Sequence, residues 1–141
     1  MTRLEVAAAV GARLVTQLGD AGMSAADSSG NLKEPIDDAL RAMGYAEADL
    51  ATAEPEDARG FIAMVRYHAL RVVWERIGDR FNVSTSGDSF ALNQAFGNVE
   101  KLLDRASQDV IEIFGSLNPS GGSAGIITID VNTLGFPGAC W

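Results

Sequence analysis

The fold is decided by residues 58–81, which read ARGFIAMVRYHALRVVWERIGDRF. Apolar side chains recur there at spacings of three and four residues, as in an amphipathic helix. The recurring residues are Ile62, Val65, Ala69, Val73 and Ile77. Further apolar or ring-bearing positions widen this surface, namely Phe61, Met64, His68, Val72 and Trp74. So broad an apolar surface is typical of a central helix that is contacted from more than one side.

The start of this central helix is marked by Glu54-Pro55-Glu56-Asp57. Proline suits the first turn of a helix, and acidic side chains stabilise the positive end of the helix dipole. We therefore expect the helix to begin in this stretch and to continue to about Phe81.

A second long helix is predicted from about Ser89 to Phe114, after a turn in which Ser86 and Asp88 are cap candidates. Its predicted core face consists of Leu92, Phe96, Val99, Leu103, Ala106, Val110 and Phe114. The matched spacing predicts that this face packs against the apolar stripe of the central helix. Gly97 interrupts the helix at a cost of about 1 kcal/mol relative to Ala, so we expect close helix packing at that position.

The N-terminal region predicts one helix over Thr2–Leu18, begun by a capping box of Thr2 and Glu5 and ended at Gly19. Its apolar face is predicted to contain Leu4, Ala8, Val15 and Leu18. An alternative is a segment that becomes helical only against a partner.

A shorter helix is predicted over Glu34–Met43, with Pro35 in its first turn and Gly44 as its stop. The segment between these two helices, residues 19–33, is rich in Gly, Ala, Ser and Asp, which indicates an exposed loop. We expect this loop to be flexible in the free subunit and to become ordered on assembly.

The chain beyond residue 117 changes in composition. Residues 118–123 form a flexible breaker, and the β-branched residues of segment 125–131 predict one short strand. The predicted partner-binding residues of this tail are Ile126, Ile127, Ile129, Val131, Leu134, Phe136 and Trp141. A single strand is not stable alone, so the tail either folds back on the helices or adds to the sheet edge of another subunit.

The predicted fold class is therefore mostly α. Residues 1–117 form a small helical bundle of about four helices with a flexible loop at 19–33. Residues 118–141 form a Gly-rich, extended docking tail with one short β-strand.

Composition restricts the function. The net charge of −8 and the pI near 4.5 argue against general nucleic-acid binding, which needs clustered Lys and Arg. The lone cysteine, Cys140, cannot form an internal disulfide. The first residues are too charged for a signal peptide, and no run approaches about 18 apolar residues, so we expect a soluble protein without membrane contact.

No constellation of side chains predicts catalysis. The only histidine, His68, lies in the most apolar helix, where a core or interface position is the favoured interpretation. One His and one Cys would leave most ligands of a zinc site to carboxylates, which structural zinc sites rarely use. We therefore predict no catalytic residue, no cofactor and no metal, and the chain is not expected to be an enzyme.

Four segments resemble the head–tail connector (adaptor) proteins of tailed bacteriophages and related gene-transfer particles. They are ALRAMGY at 39–45, ARGFIAMVRYHALR at 58–71, GDSFALNQ at 87–94 and NVEKLL at 98–103. These are patterns of helix packing rather than a chemical signature. The N-terminal helix, its loop and the Gly-rich tail fall outside the resemblance.

The resemblance implies a structural role in the virion, at the neck between head and tail, after assembly from the host cytoplasm. Its partners would be the portal protein, neighbouring copies in a ring that is usually a dodecamer, and a tail or stopper protein. DNA would pass through the ring without specific binding. The alternative hypothesis is a monomeric regulatory or adaptor module that binds a cellular partner protein through the tail.

Overall fold

The computed structural model describes residues 1–83 and 86–119. In chain order the helices are α1 (Arg3–Arg13), α2 (Val15–Asp20), α3 (Lys33–Ala42), a 3-10 turn (Glu47–Asp49), α4 (Ala58–Val83) and α5 (Ser86–Phe114). No strand occurs in these residues, so the prediction of a mostly α bundle is confirmed. The strand predicted at 125–131 lies outside the described residues.

Helix α4 is the centre of the bundle. It packs against α1, α2, α3 and α5, which confirms the position predicted for it. Its buried side chains are Phe61, Ala63, Met64, Val65, Ala69, Leu70, Val73 and Ile77. Together with Val6, Val10, Leu32, Ile36, Leu40, Val99 and Val110 they form one continuous core.

The α4–α5 contact extends beyond the stripe of α4 that was predicted for it. The Phe96 ring stacks on Trp74 with centroids 5.3 Å apart, and Phe114 closes on Gly60. Successive residues of a helix lie about 100° apart, so Trp74 points away from its neighbour Val73. Val65, Ala69, Val73 and Ile77 of the predicted stripe are buried in one core with Val99, Ala106 and Val110 of α5, and the contacts at Trp74 and Gly60 add to it.

Helix α4 begins later than its acidic and proline residues suggested. Asp57 is the N-cap residue, and its Oδ1 accepts a hydrogen bond from the Gly60 amide at 3.0 Å. Pro55 therefore lies three residues before the first helical residue rather than in the first turn. Its carbonyl oxygen accepts a hydrogen bond from the amino group of Met1 at 3.0 Å, which joins the N-terminus to the start of α4.

The predicted helix over Thr2–Leu18 is broken at Leu14, where φ is −116° and ψ is 26°. The capping box of Thr2 and Glu5 is present as predicted. Of the predicted face only Leu18 is buried, whereas Ala8 is exposed and Leu4 and Val15 are 74 % and 69 % exposed. The buried face consists instead of Arg3, Val6, Ala7, Val10 and Gly11.

Gly11 lies on the buried face of α1, where it is in close contact with the loop at Ala25. A β-carbon at Gly11 would overlap the β-carbon of Ala25, so only glycine lets the loop approach α1 this closely. Both faces of α1 have helical spacing, and apolarity alone favoured the one with Leu4. The contact between Gly11 and Ala25 determines which face of α1 is buried. The sequence could not indicate this contact, because the loop that contains Ala25 has no helical pattern.

Glycines in the left-handed region end three of the helices, among them α2 and α3. Gly44 has φ 103°, and the Tyr45 amide donates to the Leu40 carbonyl at 3.0 Å, so the predicted stop of α3 is confirmed. Helix α2 ends in the same way at Gly22, with φ 71° and a bond from the Met23 amide to the Leu18 carbonyl at 2.8 Å. The stop predicted at Gly19 was therefore three residues early.

Close packing of α4 and α5 occurs at Gly60 rather than at Gly97. A β-carbon at Gly97 would meet nothing within 4 Å, so the packing role expected there was wrong. At Gly60 a β-carbon would lie 2.7 Å from the Phe114 ring and would also overlap the Asp57 carboxylate. Glycine at position 60 therefore leaves room for both the Asp57 carboxylate, which caps α4, and the Phe114 ring at the end of α5.

The loop at residues 19–33 makes specific contacts with the helices. Leu32 is fully buried, and its amide donates to the Ala26 carbonyl at 2.9 Å. The Gly30 carbonyl accepts a hydrogen bond from Arg76 of α4 at 2.8 Å. These contacts attach the second half of the loop to the bundle, while the mobility predicted for the free subunit stays a prediction.

Candidate functional site

The predicted partner-binding residues lie outside the described residues: Ile126, Ile127, Ile129, Val131, Leu134, Phe136 and Trp141. What the structure does describe is the stretch of chain that leads to them. Helix α5 ends at Phe114, and Gly115, with φ 85°, reverses the chain. Leu117 then packs against the core as a half-buried residue.

Leu117 lies in a groove between α4 and α5, which we call the exit groove. Its half-buried floor is made by Tyr67, Trp74, Leu103 and Leu117, with Arg71 at the edge. This part of the groove has a volume of about 420 Å³. The acidic side chains along it are Glu75, Glu100 and Asp104.

A second part of the exit groove continues towards α3. It shares Tyr67, Arg71 and Leu117 with the first part and has a volume of about 470 Å³. It adds His68, Asp38, Arg41, Ala42 and Asn118 to the lining. The volume of each part is in the range of small ligand clefts. Leu117 and Asn118, which follow α5, form part of the groove's own lining.

Ring contacts fix the aromatic side chains of the exit groove. Besides the stacking of Trp74 on Phe96, Tyr67 meets His68 edge to face with centroids 5.1 Å apart. The guanidinium carbon of Arg71 lies 5.8 Å from the centre of the Tyr67 ring, within the range of a cation–π contact. The groove therefore has a preformed floor with an apolar centre and a charged edge.

Two polar atoms are buried at the exit groove without a hydrogen-bond partner in the described part of the chain. They are Nε2 of His68 and Nε1 of Trp74. Burial lowers the pKa of His68, and nearby Arg71 lowers it further, while Asp38 opposes both effects. The neutral imidazole is therefore favoured in the folded protein.

We expect His68 to make the fold sensitive to mild acid. Because its pKa is lowered on folding, the unfolded chain binds the proton more tightly, and stability falls as the pH drops below about 6.5 towards the lowered value. His68→Gln should flatten this part of the stability curve. Urea unfolding at several pH values between neutrality and pH 5 measures it, and equal slopes for both proteins would contradict the assignment.

A buried ion cluster joins four segments of the chain. The Arg3 guanidinium donates to both carboxylate oxygens of Asp27 at 2.8 and 2.9 Å and to Asp37 at 2.7 Å. It also donates to the Leu50 carbonyl at 2.9 Å. Lys33 adds a hydrogen bond to Asp37 at 3.0 Å. This cluster was missed from the sequence, since one arginine in the first turn of a helix carries no signal of its distant partners.

The charges in the cluster support each other. Burial alone would raise the pKa of Asp37, but the hydrogen bonds from Lys33 and Arg3 outweigh it and hold the pKa below its ordinary value. Arg3 and Asp37 are only 9 % and 8 % exposed, so neither charge is well solvated if its partner is lost. The cluster thus ties the loop at residues 19–33 to α1 and α3.

Arg3→Met should lower the free energy of unfolding by about 3 kcal/mol, the lower end for a broken buried ion pair, because Asp37 retains Lys33. Protease cleavage in the exposed part of the loop, at Ser28–Gly30, should also become faster. Arg13→Met on the exposed end of the same helix is the matched control and should change stability by less than about 0.5 kcal/mol. Equal unfolding curves for the two variants would contradict a stabilising role of the cluster.

Within residues 1–83 and 86–119, no three His, Cys, Asp or Glu side chains are grouped so that they could hold a metal ion. None of the described helices is long and apolar enough to cross a membrane. In comparisons with protein families, curated proteins and solved structures, nothing matched this chain.

Proposed function

We propose that the chain is a structural head–tail adaptor that forms a ring beneath the portal of a phage-like particle. The ring would join the filled head to the tail and line the DNA conduit. The tail, residues 118–141, would dock on the portal, and a tail or stopper protein would bind the opposite side of the ring.

The observation that carries this proposal is the place of the resembling segments in the bundle. Residues 39–45 form the end of α3 with its stop at Gly44, and residues 58–71 form the first half of α4. Residues 87–94 and 98–103 lie in α5. Segments that are far apart in sequence thus belong to three helices in mutual contact through α4, so the resemblance covers one packing unit.

The charge balance supports the same proposal. A conduit should let DNA pass without retaining it, and a subunit with a net charge of −8 repels phosphates at long range. A closed ring also multiplies weak contacts, because each docked tail raises the effective concentration of the next. A tail of modest affinity would therefore be sufficient to hold the ring on a portal.

Sedimentation of the purified protein with and without portal rings tests the proposal. We expect a ring, or assembly that appears only when portal is present, and electron microscopy should place the added density below the portal. A tail variant with Ile127→Asp and Ile129→Asp is the matched control and should lose the portal-dependent species. A stable monomer that ignores portal would contradict the proposal and favour the alternative of a regulatory module that binds a cellular protein.

A further inference from the structure

We infer that the exit groove is the binding site for the chain's own C-terminal segment, residues 120–141, in the free subunit. The occupant would be the apolar part of that segment, from Ile126 onward, seated on the floor formed by Tyr67, Trp74, Leu103 and Leu117. This inference goes beyond the proposed adaptor function and does not depend on it.

The course of the described chain supports this occupant. Gly115 turns the backbone at the end of α5, and its amide donates to the Ile111 carbonyl at 2.7 Å. Leu117 and Asn118 line the groove, so the last described residues of the chain lie along it. The C-terminal segment therefore starts at its binding site and needs no long linker.

The length of the segment is sufficient to reach along the groove. Seven residues lead from Pro119 to Ile126, which can span up to about 25 Å when extended. The stretch of α4 from Tyr67 to Trp74 that forms the floor is only about 10 Å long at 1.5 Å per residue. Binding to the same subunit thus closes a short loop, at a small entropic cost.

The chemistry of the segment matches the groove. Between residues 120 and 141 the only charged side chain is Asp130, and the apolar residues outnumber it several times. The groove offers half-buried apolar side chains with Arg71 at the edge of both parts. The exposed large apolar side chains of the described chain, Leu4, Val15 and Ile111, do not line the groove.

Energy transfer within the intact chain tests the inference. Cys140 is the only cysteine, and Trp74 becomes the only tryptophan in the full-length Trp141→Phe protein. An acceptor dye on Cys140 should then quench Trp74 efficiently, since the segment lies against the α4–α5 groove. The efficiency should not change on about tenfold dilution, because the contact is intramolecular.

Two groove variants and one control complete the test. Ser107→Arg, at the groove edge, and Leu103→Asp, on its floor, should each cause a severalfold loss of transfer. Ile111→Asp is the matched control on α5 outside the groove and should leave the transfer unchanged. Circular dichroism identifies any variant that fails to fold, and Ser107→Arg decides the outcome if Leu103→Asp does.

Three results would overturn the inference. Weak transfer in the parent protein would show that the segment does not occupy the groove. Transfer that falls on dilution would show that a second copy supplies the segment. Equal transfer in Ser107→Arg and Ile111→Asp would show that the segment binds another surface. None of these results depends on portal, so the adaptor proposal would stand or fall on its own experiment.

Discussion

Val73→Asp should reduce the free energy of unfolding by about 4–5 kcal/mol or more, which is enough to unfold a marginally stable domain. Val73 is fully buried at the middle of α4, the helix that contacts all the others. Val73 belongs to the continuous core of buried apolar side chains. A carboxylate placed there must stay unpaired, take up a proton or force the bundle open.

The matched control for this variant is Val15→Asp, the same substitution at a valine that is 69 % exposed. It should change stability by no more than about 0.5 kcal/mol. Thermal and urea unfolding followed by circular dichroism measure both variants. If Val73→Asp melts like the wild type, the assignment of α4 as the central buried helix is wrong.

The long helices could be predicted from the sequence because their signals are local. The spacing of Val65, Ala69, Val73 and Ile77 depends only on helical geometry. The stop at Gly44 depends on a backbone conformation that glycine adopts without strain. These features require no knowledge of the rest of the chain, and α3 was placed to within one residue at each end.

The parts that could not be predicted depend on contacts between distant segments. The two faces of α1 have equal periodicity, and the choice between them is made by Ala25 at Gly11 and by Asp27 and Asp37 at Arg3. In the sequence, the apolar side chain of Leu4 favoured the face that is exposed in the structure. Arg3 in the first turn carries no sequence signal of its distant partners, although its guanidinium is the centre of a buried cluster.

The same limit applies to the glycines of the long helices. Gly97 and Gly60 have the same intrinsic cost in a helix, and the sequence favoured Gly97 because it interrupts an apolar face. In the structure the close helix contact is at Gly60, because Phe114 lies against it, whereas a β-carbon at Gly97 would meet open space. The exit groove could not be predicted either, because it depends on the reversal at Gly115 and on the placing of Leu117 over α4.

Deleting Asn118–Trp141 should leave the helical bundle folded but abolish docking, so that filled heads accumulate without tails. The core lies almost entirely between Val6 and Val110, so the deletion removes little of the surface that stabilises the helices. It removes all seven predicted partner-binding residues at once. If strand addition provides the contact, its backbone hydrogen bonds are lost together with the apolar anchors Leu134, Phe136 and Trp141.

The decisive measurement for this deletion is a pair: the helical circular dichroism of the truncated protein and its retention on purified heads. A second variant, with Ile127, Ile129 and Val131 replaced by Ser, keeps the length of the tail and removes one face of the predicted strand. Alternate residues of a strand share a face, so this variant should lose most of the retention, whereas Thr128→Ser on the other face should keep it. Normal retention of the truncated protein would exclude the tail as the docking element, and loss of its helical signal would show that the tail belongs to the fold of the bundle.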